Sequence, residues 1–163
     1  MPDPHNSKSQ TGYLFTCGGT IISWKLVKQT ITTTSSNHAE LLALHEASRE
    51  GAWLRPLIQH EQKSYGLSSR RIKTTIIYED STTCIVELKE SYIKGDQTKH
   101  ISPKFVFTHD LYKNGDISIQ QIRSCGNLAD LFTKSLPNRV FEQLIQKIDL
   151  RRLRDGCIVE GEK

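Results

Sequence analysis

The stretch that most limits what this chain can fold into is residues 35–80, which opens SSNHAELLALHEASREGAWL and closes TTIIYED. On a helix, positions three and four apart share a face. Ala43, Leu44, Ala47, Gly51, Leu54 and Ile58 fall on one such stripe, small or apolar at every turn. The opening is therefore a long helix with one buried face. Stepping back by three from Ala43, or by four from Leu44, reaches Glu40, so a carboxylate leads that face. TTIIYED is a strand ending in Asp80, and its adjacent Ile76 and Ile77 predict burial on both faces. Each acid has a plain reading and a chemical one. Asn37 and Glu40 have the spacing of a capping box, and Asp80 or Ser81 suits the cap of a following helix. Equally, one carboxylate leading a buried helix and one finishing a buried strand make a candidate metal site.

The remaining elements follow from local pattern. GYLFTCGGTIISW reads as a β-hairpin turning at Gly18-Gly19, because glycine supplies the positive φ of a tight turn. VKQTITTT, rich in Thr and Ile, reads as a third strand. After TTIIYED, STTCIVELKE is a short helix. SPKFVFTHDLYK is another, with Pro103 in its first turn and Asn114-Gly115 as its stop. On that helix His109 shares spacing with Ile101, Phe105 and Tyr112, which makes it a packed or surface histidine rather than a ligand. DISIQQI is a fifth strand, NLADLFTK starts a helix, and Pro137 opens a last one with Val140, Phe141, Leu144 and Ile148 on one side. Strand–helix–strand succession demands a parallel pair. The expected class is α/β, with a five-stranded mixed sheet (three antiparallel strands, then two parallel) flanked by helices.

Composition narrows the function classes. At 163 residues the chain is one domain's worth, 36% hydrophobic and 25% charged. No apolar run reaches the roughly 20 residues of a membrane span, and the polar start MPDPHNSKSQ is not a signal peptide. A net charge of +4 is compatible with a polyanion partner. The four cysteines, Cys17, Cys84, Cys125 and Cys157, have neither disulfide-framework nor zinc spacing, so reduced thiols are expected.

Asp130, early in the helix after the fifth strand, and Asp3, just before the hairpin, complete a set of four acids with Glu40 and Asp80. Carboxylates converging from separate elements repel one another unless cations neutralise them. Hard oxygen donors suit Mg²⁺ or Mn²⁺, and a pair of such ions is the usual device for hydrolysing a phosphodiester. Most acids are merely solvated, and that reading stands beside this one. No nucleophile elbow, phosphate loop or cysteine–base pair competes.

Five motifs occur in order: SQTGYLFTCGGTIISWKLVKQT, SSNHAELLALHEASREGAWLR, TTIIYEDST, TKHIS and NLADLFTK. Together they resemble the ribonuclease H domain of copia-type LTR retrotransposon Pol polyproteins. The resemblance covers residues 3–150, and its motifs are specific jointly rather than singly. It implies endonucleolytic cleavage of the RNA strand of RNA/DNA hybrids during reverse transcription, with two Mg²⁺ ions (Mn²⁺ as the alternative) held by four acids. By motif these are Glu40 of the AE pair, Asp80 of Y-x-D, Asp130 of N-x-AD and Asp3 before S-x-TGY. Asn37 matches a position that reaches the hybrid's minor groove, which displays the 2′-OH groups. Lys99 and His100 of TKHI match backbone contacts. The resemblance further implies a reverse transcriptase partner and a cytoplasmic or nuclear setting. It makes residues 1–150 a ribonuclease H-like domain and residues 151–163 a charged tail.

The departures matter too. Only Met1 and Pro2 precede Asp3, so against the family pattern a truncated first strand is expected. Cellular ribonucleases H carry a histidine loop before the last acid, whereas QIRSCGN has Arg123 and Ser124. Glu79 adds a carboxylate beside Asp80, turned to the other face by strand alternation. Two functions from different classes follow: a metal-dependent ribonuclease H, or a catalytically inactive relic that keeps the fold and nucleic-acid binding. A protein-interaction module built on the same fold is the remote third.

Overall fold

The computed structural model describes residues 10–29, 36–67, 74–91 and 101–148. Strand β1 (Gln10–Cys17) turns back through Gly18-Gly19 into β2 (Thr20–Lys28). Both glycines have positive φ, 59° and 84°, as a two-residue hairpin turn requires. Helix α1 (Ser36–Ser64) follows. Its 29 residues reach about 43 Å at ~1.5 Å per residue. Then come β3 (Thr75–Glu79), α2 (Thr82–Glu90), α3 (Ser102–Lys113) and β4 (Ile117–Gln121). A 3-10 turn at Ser124–Gly126, the short α4 (Asp130–Thr133) and α5 (Asn138–Lys147) close the described chain.

The α/β class holds, but the expected five-stranded sheet does not form. Among the described residues, β1 pairs only with β2, antiparallel, and β3 only with β4, parallel, giving two sheets of two strands each. One reason lies in the expected third strand. Val27 and Lys28 continue β2 as a single strand, and residues 30–35 lie outside the described residues. The other is that β1 and β3 share no ladder. A cavity of about 520 Å³ lies between them, floored by the small-residue stripe of α1 at Ala43, Ala47 and Gly51. Burial on both faces of β3 also fails: Ile77 is 8% exposed and Ile76 48%. A sheet of two strands has one covered face, and Ile76 and Tyr78 occupy the other.

Helix α1 joins the two sheets, touching β1 on one side and β3 on the other. Its Leu41, Leu42 and Leu44 enter the main core with Ile77 of β3, Leu88 of α2, Phe105 of α3, and Ile117 and Ile119 of β4. Against β1 the helix closes at Gly51, where a Cβ would stand 3.4 Å from the Phe15 ring and 3.2 Å from Thr75 Cγ2. Arg55 locks the far end of α1 to the turn before β4, its guanidinium donating to Asp116 O at 2.8 Å and Asp116 Oδ1 at 2.6 Å. The positions predicted for the α3 helix hold. Pro103 sits in its first turn and Asn114 at its C-cap, with Gly115 at φ 77°. His109 stacks on Phe105 and meets Ser91 Oγ at 2.6 Å.

Candidate active site

Three of the four predicted acids come from three separate elements. Glu40 stands in the second turn of α1, Asp80 directly after β3, and Asp130 at the first position of α4. Local chemistry explains each placement. The cap of α2 is Ser81, whose Oγ accepts from Cys84 N at 3.3 Å, so Asp80 is relieved of capping. Asn127 Oδ1 accepts from Ala129 N at 3.1 Å and shapes the turn that delivers Asp130. Glu40 is freed from the capping box as well. Asn37 is the second residue of α1, and its side chain turns away to donate from Nδ2 to Glu87 Oε2 at 2.8 Å.

The three acids are coupled electrostatically. Burial pushes the Glu40 carboxyl above its ordinary range, and the charges of Asp80 and Asp130 push it the same way while Lys134 pulls it back. Asp130 is raised by burial and by Asp80, against the opposing pull of Lys134. The Lys134 ammonium lies 2.9 Å from Asp130 Oδ2 and 3.8 Å from Asp80 Oδ2. Its own proton is held more tightly than in water, because the three acids outweigh its partial burial. This lysine was not singled out in the sequence. The signal was present in ADLFTK, which sets it four residues after Asp130 on a helical turn.

Glu79 belongs to the same neighbourhood. It shares the buried face of β3 with Ile77 and accepts from Ser81 N at 2.9 Å. Burial raises its carboxyl to about 7, with Glu40 and Asp80 adding to the effect. Strand alternation therefore turns Glu79 away from Asp80 without removing it from the charge of the site. The cavity between the sheets opens beside these groups, with Glu40, Glu79 and Asp80 in its wall and Leu44, Ile77 and Leu128 among its apolar lining.

The donor set suits a hard divalent cation: carboxylate oxygens from three elements, and a buried charge balance that already draws in an ammonium group. Among the described residues, however, no group of three or more acids, histidines or cysteines is gathered closely enough to hold a metal ion as it stands. The chemistry fits and the assembly is incomplete. Asp3, Lys99 and His100 lie outside the described residues. Asn37 leaves one buried acceptor, Oδ1, with no hydrogen-bond partner.

Comparison with known proteins adds a lineage. The chain is 32% identical over 143 residues, 86% of its length, to the Retrovirus-related Pol polyprotein from transposon TNT 1-94 of Nicotiana tabacum. It is 26% identical over 151 residues, 93% of its length, to the Retrovirus-related Pol polyprotein from transposon RE1 of Arabidopsis thaliana. It is 28% identical over 142 residues, 86% of its length, to the Transposon Ty1-JR1 Gag-Pol polyprotein of Saccharomyces cerevisiae. The chain spans about a tenth of the length of these curated relatives, at 10%, 10% and 8%. No family model matches the chain, and no solved structure does.

Proposed function

We propose that this retrotransposon-derived chain, homologous to part of the Pol polyproteins of copia- and Ty1-type elements, is their ribonuclease H and hydrolyses the RNA strand of RNA/DNA hybrids. The observation that carries the reading is that Asp80 and Asp130, from separate elements, share one lysine, with Glu40 electrostatically coupled to all three. These acids, with Asp3, are the residues that would hold Mg²⁺ (or Mn²⁺). When bound, such ions supply an activated water and charge for the leaving oxygen. The chain's own contribution is to bring carboxylates from α1, from the end of β3 and from α4 within electrostatic reach of one another and keep them partly dry. Partial dryness strengthens every charge interaction there. Asn37 would read a 2′-OH, the group that distinguishes RNA from DNA, once its side chain swings out from Glu87 and uncovers the buried Oδ1. Lys99 and His100 contribute backbone contacts in this reading. The partners are the hybrid and a reverse transcriptase, the setting is the cytoplasm or nucleus, and residues 1–150 are the working domain ahead of a charged tail.

One observation favours a second reading, an inactive relic: the described acids do not by themselves form a three-ligand cluster. Cleavage of an end-labelled RNA/DNA hybrid decides between the two. With Mg²⁺ the chain cuts the RNA strand, EDTA abolishes cutting, and Asp80→Asn lowers it by about 10²–10³, several kcal/mol of lost charge stabilisation. Because Ser81 and not Asp80 caps α2, the variant keeps its fold. Folded wild-type chain that never cuts the hybrid would leave the relic.

A further inference from the structure

We propose that Lys134 is a tethered counter-ion that holds the place of a divalent cation between Asp80 and Asp130 and is displaced when the cation binds. The inference rests on the carboxylate–metal reading above and concerns how the site is kept without metal. An ordinary helix pair at i,i+4 spacing joins two side chains of one turn and adds little to stability. Lys134 does more than that. Its ammonium reaches Asp130 Oδ2 at 2.9 Å on its own turn and also Asp80 Oδ2 at 3.8 Å, which belongs to the end of β3.

The backbone holds the lysine in register. Lys134 closes α4 by donating its N–H to Asp130 O at 3.1 Å, so the side chain starts one turn above the acid it neutralises. The two carboxylate side chains are 8% and 14% exposed, whereas that of Lys134 is 45% exposed. The acids are fixed and sheltered, and the cation has a way out to solvent. Buried carboxylates facing one another without a cation would repel. Lys134 satisfies them in the resting chain. A divalent cation among the same oxygens would stand a few ångströms from a like charge, so the flexible lysine stem yields. Lys134 thus holds the site together and weakens its metal affinity at once.

The test is Mg²⁺ titration by calorimetry on the full 163-residue chain, with Lys134→Gln and Lys134→Arg alongside, and thermal unfolding of each with and without Mg²⁺. Lys134→Gln is expected to bind Mg²⁺ about tenfold more tightly than wild type, since a competing like charge is gone. Without metal it melts at a lower temperature, and Mg²⁺ raises its Tm by more than it raises that of wild type. Lys134→Arg retains the charge and stays near wild type. A lysine that merely supported the fold would lose affinity on substitution, so tighter binding separates the two roles. Binding of equal affinity in wild type and Lys134→Gln overturns this proposal and leaves the ribonuclease H reading in place. Absence of Mg²⁺ binding in all three, with no hybrid cleavage by wild type, overturns both.

Discussion

At the scale of single residues, His45 shows how placement decides a side chain's chemistry. It sits on the long helix beside the apolar stripe, and no motif marks it. The fold buries it to 7% exposure, packs Phe107 edge-on at 5.3 Å, and sets Nδ1 3.1 Å from Lys104 O. A carbonyl oxygen only accepts, so in this contact Nδ1 carries the hydrogen of the neutral ring. Burial lowers the pKa of His45 below its ordinary 6.5, outweighing the opposing pull of Glu46 and of the Lys104 carbonyl, while the Lys104 ammonium acts with burial. The unfolded chain then binds the proton more readily than the folded one, so stability falls as pH drops below 6.5 toward the folded value. Between pH 7.5 and about 5 this loss runs against a gain from Glu79, whose raised carboxyl stabilises the fold as pH falls. It should therefore be read as the difference in thermal unfolding between wild type and His45→Gln. His45→Gln should remove the His45 part of the profile. An unchanged slope in the variant would assign the loss to other groups.

At the scale of elements, β1 governs where α4 stands. A Cβ added to Gly12 would lie 2.5 Å from Thr133 Cγ2 and 3.6 Å from Ala129 O, so a side chain there collides with the turn that carries Asp130 and Lys134. Gly12→Val is therefore expected to push α4 outward, costing about 1–3 kcal/mol by overpacking and lowering hybrid cleavage by more than the stability loss explains. Cleavage measured at a temperature where the variant is fully folded separates the two effects. Elements were also the most legible level of the sequence. The hairpin turn at Gly18-Gly19, the long helix, the two short helices and the strands TTIIYED and DISIQQI were readable because each carries its own periodicity and stop signals. The exception was VKQTITTT, where Thr and Ile propensity suggested a separate strand while Val27 and Lys28 simply extend β2.

At the scale of the whole molecule, α1 is the common support of both sheets. Leu44, 2% exposed, joins the core beneath β3 and β4 and also lines the cavity that separates β1 from β3. Leu44→Ala should cost about 2–5 kcal/mol, read as a shift in urea midpoint. Because both strand pairs rest on this helix, hydrogen exchange should show their amides losing protection together. Retained protection in β1–β2 alone would mean that the hairpin is stable without the core.

The sequence by itself determined the α/β class and most of the element order, and it singled out Glu40, Asp80 and Asp130 as candidates together with the helix stripe that leads to one of them. These depend on patterns within a few residues, or on motifs whose order along the chain is specific. What only the tertiary structure decided lies between elements. Whether β1 and β3 would share a ladder, whether Asn37 would cap α1 or turn to Glu87, and whether Lys134 would reach a second acid all depend on distances across segments far apart in the chain. Strand propensity says nothing of which edge a strand pairs, since any extended backbone offers the same donors and acceptors on both sides. A lysine four residues after an aspartate is commonplace. Only packing against the end of β3 makes it the counter-ion of a site.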